Sequence, residues 1–362
     1  MPRVTVVMAV YNAAQFLRAA VDSVLSQTWR DFELIVVDDA STDDSAAVLH
    51  SFHDPRIRII RHETNRGASL SRNDALSAAR GDLIAIMDAD DVCAPDRLGR
   101  QVEYLDAHPP AGLVGCGIYD NIDATGAVLY TSILPHDNET IQRALMERWC
   151  FLHSSIMFRR KLYLTVGGYR AAFEPVEDHD FVLRIVEHSQ AHNICEPLVT
   201  YRLNHSGLTV IGHQYIDQLR AIAIRLARQR RSGQPEDLGA AMPQIASLKL
   251  KRKSARGLGG VVQQLRDSSY AANRYYGFGC RELCAGQLHR ARLCYVQSLR
   301  TNRMFIKSWI GLALSFLPFI AKHVRFVFRS SMRQQNDPAW SRSSTQANSG
   351  HLTSVAHGTA VQ

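Results

Sequence analysis

From residue 4 to about residue 120, short β-branched runs alternate with helix-period segments, and that alternation leaves few folds open. Val4–Val10 precedes the amphipathic stretch Phe16–Gln27, Leu34–Val37 precedes Ser45–Phe52, Ile57–Arg61 precedes Ser69–Ala79, and Leu83–Met87 precedes Pro95–Ala107. Strands that alternate with helices pair in parallel and carry helices on both faces, so an α/β chain is expected. Pro95 suits a first helical turn, where its missing N–H costs nothing. No GxGxxG follows the first strand, which disfavours a dinucleotide-binding hydride-transfer enzyme.

The fourth apolar run passes directly into Asp88-Ala89-Asp90-Asp91. A buried strand ending in clustered carboxylates delivers hard oxygen ligands to the carboxyl edge of a sheet, where open α/β folds bind their ligands. Alone, such a triplet is more often a solvated turn or a helix cap.

Charge divides the chain. Residues 1–214 hold 19 Lys and Arg against 28 Asp and Glu, whereas residues 215–329 hold 21 against 5. A basic segment of that kind suits anionic lipid or nucleic acid, and composition does not choose between them. The seven cysteines are scattered without paired spacing, which points to a reducing compartment and to packing roles. The start enters a strand within a few residues and lacks a signal-peptide pattern, so a cytoplasmic location is expected.

Residues 121–214 are less regular, with helices expected at Glu139–Trp149 and Asp178–His188 and a strand near Ser154–Phe158. Residues 215–329 read as mainly helical, and 330–362 as a disordered tail rich in Ser, Thr, Gln and Asn.

The ordered series of motifs resembles glycosyltransferase family 2. Val6-Val7-Met8-Ala9-Val10-Tyr11-Asn12-Ala13, Ser26-Gln27-Thr28, Phe32 to Ser41 with its Asp38-Asp39, Asn65-Arg66-Gly67, Ser71-Arg72-Asn73, Asp88 to Asp91, Gly167-Gly168-Tyr169-Arg170 and Glu177 to Arg184 follow the family's order and spacing over about the first 210 residues. Ala9 replaces the usual Pro and Ala40 the usual Gly. The resemblance implies a GT-A fold, a doubly wound mixed, mainly parallel sheet, here with a C-terminal helical basic appendage. Residues 1–214 would form the catalytic domain, with a nucleotide-sugar half to about residue 120 and an acceptor half after it.

The same resemblance implies an inverting transfer from a UDP- or dTDP-sugar, assisted by Mg²⁺ or Mn²⁺. Asp90 would be the direct metal ligand and His205 a further ligand or a donor to the β-phosphate, a solvent-exposed histidine being the alternative. Ala9, Tyr11, Asp39, Arg72, Asp88 and Arg202 would line the nucleotide-sugar site. A carboxylate such as Asp39 can accept the imide N–H of a pyrimidine, and a tyrosine offers a stacking face. Asp178 would be the base that takes the acceptor hydroxyl's proton, with Glu177 or Asp180 placing it or binding acceptor hydroxyls. Asp38 reads as structural. Asp91 either orients a partner or caps the helix near Pro95, and His153 is a weaker candidate for the acceptor cleft.

Residues Tyr275–Ser315 are spaced like one tetratricopeptide-type hairpin. Trp309–Ala321 is apolar and uncharged, too short to span a bilayer, and flanked by cations; an interfacial helix and a buried core helix are both open. The reading is therefore a glycosyltransferase of cell-surface glycan synthesis, peripheral at the inner face of the membrane, with a glycan or lipid-linked acceptor and no nucleic-acid partner. Its rivals are a nucleotidyltransferase, which would want a glycine-rich basic loop after the first strand, and a non-catalytic scaffold whose basic helices bind nucleic acid.

Overall fold

A computed structural model describes residues 1–203, 213–254, 272, 275–280, 282–283 and 286–316. His205 and the segment 330–362 lie outside the described residues, as does 317–321, the end of the Trp309–Ala321 stretch.

The four anticipated runs are strands β1 (Val4–Val10), β2 (Phe32–Asp38), β3 (Ile57–Arg61) and β4 (Leu83–Ile86), interleaved with helices α1 (Ala14–Leu25), α2 (Ser45–His50), α3 (Ala68–Ala78) and α4 (Arg97–Ala107). They pair in parallel in the order β3-β2-β1-β4. The period of two along β1 explains the two cores. Val4, Val6, Met8 and Val10 face Leu17 and Val21 of α1, whereas Val7 faces the layer of Ala75, Leu76 and Phe181. Because β1 lies between β2 and β4, the strand order reverses there, and ligands of such sheets bind beyond the carboxyl ends at that point.

The second half is more sheet-rich than its sequence suggests. It contains β5 (Val92–Cys93), β6 (Ala111–Ile122), β7 (Val128–Ile133), β8 (Met157–Arg159) and β9 (Gln190–Arg202). They complete a nine-stranded mixed sheet, β3-β2-β1-β4-β8-β6-β9-β5, with β7 paired to β6. Helices α5 (Asn138–Ala144), α6 (Arg160–Val166) and α7 (Glu177–Val186) decorate it. The expected helix to Trp149 stops at Ala144, and the expected strand from Ser154 begins only at Met157, because His153–Ser155 form a single 3-10 turn. Pro95 lies just before α4 rather than in its first turn, and Asp96 is the residue preceding it.

The apolar core does not end at residue 214. Helix α8 (His213–Arg231) puts Leu219, Ala223, Leu226 and Ala227 into the same core as Phe181 and Leu183 of α7, and α9 (Leu238–Ser254) adds Ala241 and Ile245. Part of the basic charge is neutralised in place, since Arg230 pairs with both Glu187 and Glu236 at 2.7 Å. Farther on, α10 (Leu288–Thr301) and α11 (Ile306–Leu314) form a smaller unit that meets β7, where Phe278 stacks on Tyr130 at 3.6 Å. Gly279 lies so close to Tyr295 of α10 that a Cβ would approach its ring to 2.6 Å.

Candidate active site

The carboxyl ends of β1, β2 and β4 bring Ala9, Tyr11, Asp39, Asp88 and Asp90 to one edge of the sheet. Tyr11 is exposed beyond β1, and its neighbour Asn12 takes a positive φ of 50° while its Oδ1 accepts the Thr42 N–H at 2.8 Å. That bond ties the turn after β1 to the turn after β2. Ala40 also adopts a left-handed backbone, φ 59°, at the position where a glycine would be unstrained.

Asp39 is buried and organises the next loop. Its Oδ1 accepts from His62 Nδ1 at 2.7 Å and from the Arg66 N–H at 2.9 Å, and its Oδ2 accepts from the Gly67 N–H at 2.8 Å. The other ring nitrogen of His62 meets Asp74 at 2.9 Å. Asp38 instead turns inward to the Ser41 N–H, with Arg61 3.6 Å away, a structural part. Sequence reasoning missed His62. Its signal was its place one residue past the end of β3, on the same carboxyl edge.

Arg72 on α3 is the centre of the site. Its guanidinium donates to Asp88 Oδ1 at 3.1 Å and to Glu177 Oε1 at 2.8 Å, and it sits 5.7 Å from the centre of the Tyr169 ring. One cation thus joins the end of β4 to the first turn of α7. Burial of Arg72 is outweighed by the two carboxylates, which hold its pKa above the ordinary arginine value. Burial raises Asp88, but the neighbouring His153 and Arg72 reverse this and hold its carboxyl well below the usual range. Glu177 goes the other way, pushed up mainly by its own burial against the pull of Arg72, and its Oε2 has no partner among the described residues.

His153 lies in the wall beneath these groups, with Nε2 3.0 Å from the Tyr169 hydroxyl and Nδ1 3.8 Å from Asp88. Tyr169 is itself clamped by Asn73, whose amide accepts its N–H and donates to its carbonyl, both at 2.8 Å. Gly168 follows from that clamp, because a Cβ there would lie 2.2 Å from Asn73 Oδ1. Glu174 accepts the Ser69 N–H at 2.7 Å and so caps α3 from across the cleft, a contact no local pattern announces.

Three expectations change. Asp91 is no cap for α4: it is fully buried, accepts the Arg202 N–H at 2.8 Å and the Ser154 hydroxyl, and so fastens the end of β4 to β9. Burial and the neighbouring Asp90 and Asp88 charges push its carboxyl well above the ordinary range. Asp180 does not face an acceptor, since it is fully buried against Arg184 at 2.8 Å with Arg170 at 3.5 Å. Arg184 in turn donates to the carbonyls of Val166 and Gly168, which couples the Gly167-Gly168 turn to α7. Arg202 spends its guanidinium on the carbonyls of Asp90 and Asp123, both at 3.0 Å, with its cation over Phe16, so it shapes the Asp90 loop. Asp178 is half-buried at the start of α7, its Oδ1 2.7 Å from the His179 N–H.

Comparison with known proteins fits this geometry. The family model "Glycosyl transferase family 2" matches residues 5–167. The chain is 36% identical over 209 residues to EpsE of Bacillus subtilis (strain 168), a match covering 56% of this chain and 73% of EpsE. It is 31% identical over 210 residues to the O-antigen biosynthesis glycosyltransferase WbnJ of Escherichia coli, covering 56% of this chain and 80% of WbnJ. The chain belongs to glycosyltransferase family 2. It is a glycosyltransferase, and its motifs around Asp39, Arg72 and Asp88 lie within the matched segment. The fold resembles that of S. aureus TarS 1–349 crystallised with UDP-GlcNAc, with a TM-score of 0.54, 16% identity, and coverage of 91% of this chain and 92% of that one.

The carboxylates also fit a divalent cation. Among the described residues no three His, Cys, Asp or Glu side chains form a ready-made cage. Mg²⁺ and Mn²⁺ at phosphate-transfer sites need less, one or two carboxylates plus the substrate's own phosphates. Burial first, and then the Asp90 and Asp88 charges, raise the Asp91 carboxyl, and a cation would relieve the second of these.

Proposed function

We propose that the chain transfers a sugar from a UDP- or dTDP-sugar, with inversion, to a polysaccharide or lipid-linked acceptor in cell-surface glycan synthesis. The observation that carries this reading is the Arg72 bridge, which draws the donor-side Asp88 and the acceptor-side Glu177 to opposite ends of one guanidinium. The names of WbnJ and TarS with UDP-GlcNAc support the substrate classes.

In this reading Tyr11 and Asp39 receive the nucleotide base, and Asp88 faces the ribose. Asp90 would hold the divalent cation, whose charge stabilises the departing diphosphate. Asp178 accepts the acceptor hydroxyl's proton as that oxygen forms the new bond to the anomeric carbon and the bond to the diphosphate breaks on the opposite face. Glu177 keeps Arg72 in register. Arg202 positions the Asp90 loop through its carbonyl, and His205 would be a further ligand or a donor to the β-phosphate.

Asp90→Asn tests the centre of it. The variant removes a ligand's charge at nearly constant volume, so hydrolysis and transfer with a panel of nucleotide sugars, with and without Mn²⁺, should fall to background while the circular dichroism spectrum is unchanged. Near-normal turnover with no metal requirement would reject the assignment.

A further inference from the structure

Helix α11 is turned the wrong way for a helix stabilised only by its own burial. At 3.6 residues per turn, Ile306, Trp309, Ile310 and Ala313 fall on one stripe, and Ser308, Gly311 and Ser315 on the opposite one. The small residues are the buried ones. Gly311 sits where a Cβ would come within 2.5 Å of the Tyr295 ring, Ser308 bonds Ser298 at 2.6 Å, and the Ser315 carbonyl accepts from Arg292 at 2.8 Å. Leu312 packs partly buried beside Tyr295, but other large side chains face outward: Ile306 is 69% exposed, Trp309 and Ile310 are each 55% exposed, and Met304 and Phe316 extend the face. A contiguous apolar patch of that kind marks an interaction surface.

Charge selects the partner. From Leu283 to Asn336 the sequence holds nine Lys and Arg and neither Asp nor Glu. Arg300, Arg303 and Lys307 are exposed around the stripe. A second copy docked face to face would oppose like charges, and a nucleic acid would leave the aliphatic Ile306 and Ile310 in water. An anionic bilayer surface meets both the cations and the apolar side chains. Trp309 is already equipped for it, since its Nε1–H donates to the Arg303 carbonyl at 3.0 Å and leaves the ring to insert with its polar group paired. We propose that α11 is an in-plane docking helix for anionic phospholipid, independently of which sugar or acceptor the active site uses. Among the described residues no helix is long and apolar enough to cross a membrane.

The test is co-sedimentation of the full chain with phosphatidylcholine vesicles with or without phosphatidylglycerol, at low and high salt. The wild type should pellet with the anionic vesicles alone, and less at high salt. Trp309→Glu with Ile310→Glu should reduce partitioning at least about tenfold, as should Arg303→Gln with Lys307→Gln, given the usual contribution of each surface cation. All four side chains are exposed, so nucleotide-sugar hydrolysis should be unchanged in both variants. A wild type that ignores anionic vesicles at low salt overturns the proposal. So does a Trp309/Ile310 variant that pellets like wild type. A dimer dissolved by that variant without any lipid binding assigns the face to a second copy, and oligonucleotide binding lost only in the Arg303/Lys307 variant assigns it to nucleic acid. If the Trp309/Ile310 variant unfolds, undiminished pelleting by the Arg303/Lys307 variant overturns the charge argument.

Discussion

Arg72 and Glu177 meet at 2.8 Å although 105 residues separate them, and both are largely buried. Removing one partner of a buried pair leaves an uncompensated charge, at a cost of about 3–5 kcal/mol. Arg72→Met should therefore destabilise the protein strongly, because Glu177, already raised by burial, loses the one influence drawing it down most. Pairing Arg72→Met with Glu177→Gln removes both charges and should restore much of the loss. Urea midpoints across the four proteins of this cycle measure the coupling; an additive cycle would show that the two residues do not act together.

In the proposed function, binding and chemistry fall to different residues of the site. Asp178→Asn should bind UDP nearly as wild type and lose transfer by at least about 10²-fold, the scale of a missing general base. Asp39→Asn should do the reverse, and for a structural reason as well: its new amide would face either the Gly67 N–H, or the Arg66 N–H and His62, all of which now donate to a carboxylate. Calorimetric titration with UDP and initial rates check the pair, and equal losses of UDP affinity in both variants would refute the division.

Asp91 gives the stability of the fold a pH dependence. Its folded carboxyl is raised above the unfolded value of about 3.9, so the native state holds a proton that the unfolded chain releases. The stability this contributes is complete below the unfolded value and lost as pH rises through the raised one. Asp88, lowered by His153 and Arg72, has the opposite sign, and its contribution is lost as pH falls below the ordinary range. Asp91→Asn keeps an oxygen for the Arg202 N–H and can donate to Ser154, so it should flatten the decline above pH 4 and leave the acid limb in place. Melting temperatures of both proteins between pH 4 and pH 8 decide it; parallel curves would show that Asp91 does not carry the effect.

The first four strands were legible because each is a short run rich in Val, Ile or Leu, and β2 and β4 stood out because they end in aspartates. The pattern brings Asp39, Asp88 and Asp90 to one sheet edge, and only the resemblance gives them roles there. The second half was not legible for an identifiable reason: β6 and β9 mix Gly, Asn, Tyr and Glu along edges that gain their burial from each other, so neither run is apolar enough to stand out. Asp91 and Asp180 misled because a carboxylate at a strand end or in a first helical turn looks the same whether it faces a substrate or a buried arginine. Arg202 and Glu174 owe their roles to distant backbone groups, on Asp90 and Ser69, and local sequence holds no trace of such partners.

Two small residues near the site should respond in opposite directions to a single methyl group. Gly168→Ala would push a Cβ to 2.2 Å from Asn73 Oδ1, and that amide is pinned from both sides by the Tyr169 backbone, so it has nowhere to swing. Overpacking of this kind costs about 1–3 kcal/mol, and here it also displaces the Tyr169 ring beside Arg72, so transfer should fall together with stability. Ala40→Gly removes a methyl from a left-handed residue, relieving about 1–2 kcal/mol of strain against an entropic cost of about 0.5–1 kcal/mol, for a net gain of up to about 1.5 kcal/mol. Thermal melts of the two variants should bracket the wild type, Gly168→Ala below and Ala40→Gly at or above it. A stable, fully active Gly168→Ala protein would mean that the Asn73 clamp yields, and with it the claim that this clamp sets the position of Tyr169 against Arg72.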